Sequence, residues 1–132
     1  RKPMRLLYLI ISVLFCLNGA LQAETVAERL KKDPNFELYA VIFAILQNKD
    51  GSVENVKVAN ILDAASDSKE TAPIELPRAY FVKAEKLIRV RKHPLQTKDG
   101  KPEVFFVYYL YSPQLGDHVI DNPDASIESL KN

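Results

Sequence analysis

The stretch that most limits what this chain can fold into is Leu38 to Leu62, LYAVIFAILQNKDGSVENVKVANIL. Its first part is apolar at both parities: Leu38, Ala40, Ile42, Ala44 and Leu46 point one way, and Tyr39, Val41, Phe43 and Ile45 the other. Side chains of a strand alternate between faces, so a strand here has no wet side. It belongs in the middle of a sheet whose two faces are both at least partly covered. Val56, Val58 and Leu62 alternate instead with Asn55, Lys57 and Ala59, the pattern of a strand with one solvated face. Asp50-Gly51 between the two runs predicts a hairpin turn, because glycine reaches the positive φ of such turns without steric cost.

The rest of the chain must supply the cover. Thr25 to Lys32 predicts a short helix, with Thr25 and Glu28 at capping-box spacing and Val26 and Leu30 on one edge. From Leu76 to about Arg91 the period is helical, gathering Leu76, Tyr80, Ala84, Leu87 and Ile88 on one side, with Pro77 near the first turn. His93-Pro94 ends it, because the residue before a proline is pushed out of the α region. Glu103 to Tyr111, EVFFVYYLY, follows a Lys98-Asp99-Gly100-Lys101-Pro102 turn and is again apolar at both parities. Asp63 to Ile74 reads as an exposed loop, long enough to be mobile or functional. The expected fold is therefore α+β: a small two-layer domain with a three-stranded antiparallel sheet (38–47, 53–62, 103–111) packed against one or two helices (25–32 and 76–91), with a weakly ordered tail at 113–132.

Residues 1–23 read as a secretory signal peptide. Arg1, Lys2 and Arg5 precede an apolar run from Leu6 to Leu17, and Gly19, Ala20 and Ala23 supply small residues for cleavage, after Ala23 or after Ala20. The run is short for a membrane span, and an uncleaved inner-membrane anchor is the alternative, with membrane contact expected only through that segment. The periplasm, or secretion, is the expected destination. The single cysteine, Cys16, lies in this segment, so residues 24–132 contain no thiol and no disulfide. Those 109 residues suffice for one domain with one core. Without Arg1, Lys2 and Arg5 the 18 basic side chains become 15 against 17 acidic. That balance argues against nucleic acid as a partner, since phosphate binding needs a basic footprint.

The order of parts resembles the carboxy-terminal domain of the TonB family. The residues that carry the resemblance form a hairpin FxIxxxxDGxVxxVxV (Phe43, Ile45, Asp50, Gly51, Val53, Val56, Val58), then an amphipathic helix, Pro94, and a DGKP turn (Asp99 to Pro102) before a last strand. They span roughly residues 34–111. The resemblance implies a three-stranded antiparallel sheet backed by helices, whose last strand is an edge that receives a short segment of an outer-membrane transporter. The family's energy transducers also carry a membrane anchor and a long proline-rich spacer, whereas only Glu24 to Asn35 separates the signal segment from the first strand here. The end of the second helix has Val90 and Lys92 at positions usually aromatic or apolar in the family. The expectation is thus a stand-alone exported binding domain rather than an energy transducer.

Two features then carry function. No charge lies between Glu103 and Ser112, although natural edge strands are usually guarded by charge, proline or a bulge. Either this strand is central or covered by the tail, or Phe105, Val107, Tyr109 and Tyr111 form a docking edge for an extended segment of an envelope protein or for a second copy. The basic cluster Lys83, Lys86, Arg89, Arg91 and Lys92 reads as a solvated helix face or as a patch for an anionic surface. Catalysis has little support: His93 and His118 lie in no nucleophile motif, and Asp117, His118 and Asp121 lack a metal-ligand spacing. No enzyme, metal or cofactor is expected.

Overall fold

The computed structural model describes residues 24–130, so the signal-peptide reading and Cys16 lie outside the described residues. Helix α1 (Val26–Lys32) starts as its capping box predicts: the Thr25 hydroxyl accepts the Glu28 N–H at 3.1 Å, giving a partner to one of the amides a helix start leaves free. Arg29 and Lys32 both pair with Glu24.

Strands β1 (Tyr39–Gln47) and β2 (Val53–Asp63) form the expected hairpin. At its turn Asp50 Oδ1 accepts both the Ser52 N–H and the Ser52 hydroxyl, and Gly51 takes a φ of 90°, where a Cβ would be strained. Helix α2 (Arg78–Val90) follows, then the two-residue strands β3 (Thr97–Lys98) and β4 (Lys101–Pro102), then β5 (Phe105–Tyr111). The β3-β4 pair makes the Asp99-Gly100 turn a small hairpin of its own and shortens the last strand at its start. A 3-10 turn (Pro113–Leu115) and helix α3 (Ile127–Leu130) complete the described chain.

The sheet has the order β2-β1-β5, antiparallel throughout, so β1 takes the central position its two-sided apolar pattern requires. On one face Val41, Phe43 and Ile45 are buried beneath α2, whose Tyr80, Ala84 and Ile88 recur every four residues along the covered side. Tyr109 and Tyr111 join this layer from β5. The Tyr80 and Tyr111 rings meet edge to face at 4.9 Å, and those of Phe43 and Tyr109 lie tilted at 6.1 Å, arrangements that add to the area they bury. Tyr80 also donates its hydroxyl to the Leu110 carbonyl at 2.8 Å. Burial pushes its phenol well above the ordinary range, so the proton stays in that bond.

The opposite face is covered at one end only. Val26 of α1 packs there with Phe36, Leu38, Leu110, Leu115, Ile120 and Ile127. Backbone bonds from Val26 N to Ala125 O (3.1 Å) and from Ile127 N to Glu24 O (2.9 Å) tie α1 to the tail. The expectation of a weakly ordered tail therefore needs correction through Leu130. Its apolar residues are too widely spaced to show a period, yet the turn at Pro113 to Gly116, with Gly116 at φ 70°, folds them back onto the sheet. Beyond this cover Ile42, Ala44 and Leu46 remain only half-buried.

Two further details depart from the simple alternation. The β1-β2 register pairs Ile42 with Asn60 but Phe43 with Val58, leaving Ala59 as an extra residue. A bulge turns the following side chains over, so Ile61 rather than Leu62 enters the α2 layer. The loop expected to be exposed returns at its end: Ala72 is buried and its N–H bonds the Ile61 carbonyl at 2.7 Å.

Candidate functional site

A sheet of three strands has two edges, and here they are treated differently. Along β2 the Ile61 carbonyl is taken by Ala72, and Arg89 reaches the Val53 and Glu54 carbonyls at 2.8 and 3.4 Å. Glu54, Lys57 and the bulge at Ala59 complete the usual guards against strand pairing. On β5, Leu110 exchanges both of its backbone bonds with Ile120, at 2.8 and 3.0 Å. Alternate residues of an antiparallel strand turn their backbone groups to opposite neighbours. Phe106 and Tyr108 therefore face outward as Leu110 does, while Phe105, Val107, Tyr109 and Tyr111 bond to β1. No described residue hydrogen-bonds the outward groups of Phe106 and Tyr108.

The side chains follow the same parity. Phe106 and Tyr108 are 62% and 61% exposed, beside Val104 and next to the half-buried Ala44 and Ile42 with which they pair. The docking side chains expected from the sequence need correction. Tyr109 and Tyr111 are only 4% and 6% exposed, and Phe105 and Val107 pack against the same core. Both parities of this strand are apolar, so the position of α2 alone decides which one is buried. One signal was present: in β1 the parity of Val41, Phe43 and Ile45 is bulkier than that of Ala40, Ile42 and Ala44, and the bulkier set takes the helix.

Beside the edge lies an open cleft of about 500 Å³, lined by Arg91, Lys92, His93, Asp121 and the β5 residues Phe106 to Tyr109. Arg91 donates to Asp121 at 2.6 Å and to the Tyr109 hydroxyl at 3.2 Å, and stands 5.6 Å from the Tyr109 ring centre. The guanidinium holds the Asp121 carboxyl below its usual range and is itself raised. Lys83 lowers Asp117 in the same way across 2.9 Å, and Arg89 pairs with Glu85 at 3.4 Å. Three members of the basic cluster are thus tethers within the molecule. Lys86 and Lys92 pair with no described carboxylate. Among the described residues no three His, Cys, Asp or Glu side chains come together as metal ligands.

The wall that ends α2 is held from below by Gln47. Its amide donates to the carbonyls of Gly51, His93 and Pro94 at 3.0, 3.4 and 3.3 Å, and accepts the Gln96 N–H at 2.9 Å. His93 Nε2 lies 2.9 Å from the Ile88 carbonyl, which can only accept, so that nitrogen carries the proton. The ring also packs 5.5 Å from Phe105, so His93 closes the end of the helix against the start of β5.

The chain matches no known protein family, no characterised protein and no solved structure. The β5 edge itself combines a pair of unpaired backbone residues, an exposed aromatic stripe on one face and a cationic cleft on the other. Phe106, Tyr108 and Gln47 were not among the residues singled out from the sequence, which placed the strand but left open whether it is central, covered or an edge; the sheet order puts it at the edge.

Proposed function

We propose that this chain is an exported, non-catalytic protein–protein interaction module resembling the TonB carboxy-terminal domain, binding an extended segment of an envelope partner by adding it to β5 as a strand. The observation that supports this is the pair of outward, unpaired backbone residues Phe106 and Tyr108, on an edge without charge or proline from Phe105 to Tyr111. Main-chain bonds along such an edge supply affinity, and flanking side chains supply choice. An outer-membrane protein is the partner the resemblance implies, and export rests on the basic, apolar and small-residue order of residues 1–23.

A photo-crosslinking residue placed at Phe106 in intact cells tests this. The expected result is one crosslinked envelope protein, absent when the probe sits at exposed Val82 on α2 and lost with Tyr108→Pro. That substitution removes an outward N–H while sparing the bonds to β1. Crosslinking that survives Tyr108→Pro would count against strand addition. A second reading has support from the register: a two-fold axis at Val107 would pair Phe106 with Tyr108 of another copy, giving a homodimer through the same edge. Sedimentation of a stable dimer that Tyr108→Pro dissociates would favour it.

A further inference from the structure

We propose that the segment received at β5 alternates apolar and acidic side chains, with a single carboxylate opposite Val107 beneath Lys92. This rests on the strand-addition reading above and specifies the strand that edge would take. An added strand exchanges backbone bonds with Phe106 and Tyr108, since these residues turn free groups outward. Directly opposed residues of neighbouring strands share a face. The partner residues opposite Phe106 and Tyr108 therefore turn to the same face as Ile42 and Ala44, where apolar side chains extend the exposed stripe outward from β5. The residue between them turns to the other face and enters the cleft walled by Arg91, Lys92, Tyr109 and Asp121.

Charge in that cleft decides the central residue. Arg91 and Asp121 are engaged with each other, and Arg91 also with Tyr109. Lys92 pairs with no described acid. The cation left over asks for a carboxylate. The segment is also short, because Ile120 already occupies the edge at Leu110 and the Glu103 N–H turns back to the Gln96 carbonyl at 2.8 Å. A second copy fits this cleft less well: its β5 would set Val107 against Val107 and bring two Lys92 ends to one seam, where like charges repel.

The test uses the ¹⁵N-labelled chain and three capped pentapeptides, TVEVT, TVQVT and TVKVT. The expected result is a shift of the Phe106 and Tyr108 amides with TVEVT, about fivefold weaker binding of TVQVT, as for one exposed charge pair, and weaker binding still of TVKVT. Lys92→Gln is expected to erase the preference for TVEVT over TVQVT, and Lys92→Glu to reverse the order of TVEVT and TVKVT. Equal binding of all three peptides at Phe106 and Tyr108 would overturn the acidic preference and leave strand addition standing. No shift at those amides with any peptide would overturn both. A dimer that buries the edge and excludes every peptide would assign the edge to a second copy instead.

Discussion

The Gln47 side chain, 1% exposed, joins the hairpin turn to the chain beyond α2 through four backbone partners. An amide carries both donors and an acceptor, and no apolar residue of similar shape can replace that set. Gln47→Leu should leave partly buried backbone groups unpaired at a cost of about 1–3 kcal/mol. The urea midpoint should fall accordingly, and the Gln96 amide should exchange faster than its neighbours. An unchanged midpoint would remove Gln47 from the account of how the cleft wall is held. In the sequence this residue is only the polar end of an apolar run, because its partners at His93, Pro94 and Gln96 lie 46, 47 and 49 positions away. Phe106 and Tyr108 were hidden for a different reason. They alternate with equally apolar neighbours, and hydropathy alone ranks neither parity as the wet one.

Among the elements, the open edge of β5 depends on the tail that stops short of covering it. Ile120 caps β5 at Leu110, and the flanking Asp117 and Asp121 are drawn to Lys83 and Arg91. Both carboxyls are held below their unfolded values by those hydrogen bonds, so the folded chain binds fewer protons than the unfolded one. Their contribution is therefore fully present above the ordinary aspartate range near pH 4 and is lost as the pH falls through the lowered folded values. A variant with Asp117→Asn and Asp121→Asn should be less stable than the parent at pH 6, and that deficit should shrink steadily as the pH falls below about 4, read as urea midpoints. A deficit of the same size at every pH would show that the asparagines disturb packing rather than charge. The basic cluster was visible in the sequence, but its acidic partners were not, since Lys83 and Arg91 meet residues of a tail that has no regular period.

At the scale of the molecule, α2 covers one sheet face apart from exposed Val58 on β2 and the cleft beside β5, while α1 and the tail together cover half of the other. The second cover is made from two ends of the described chain, joined by the bonds of Val26 with Ala125 and of Ile127 with Glu24. Ending the chain at Leu115 should therefore remove more than Ile120 and Ile127. It should also unseat α1. Each buried isoleucine contributes about 2–5 kcal/mol relative to alanine, against a typical domain stability of about 5–15 kcal/mol. The truncated chain should lose its cooperative thermal transition and its near-ultraviolet tyrosine dichroism, and retention of both would show that the half-cover is dispensable.

The amino-acid order by itself determined the class of fold, the central place of β1, the two turns at Asp50-Gly51 and Asp99-Gly100, and the helix that covers the first face. Those features follow from side-chain period and turn stereochemistry, which act between residues close in the chain. Only the tertiary structure decided which side of β5 is buried, where the Ala59 bulge turns β2 over, and how far the tail covers the edge. Each of these is a competition between nearly equal apolar surfaces or between charges distant in sequence. Packing and hydrogen bonding across the fold settle such competitions, and here they leave Phe106 and Tyr108 facing outward.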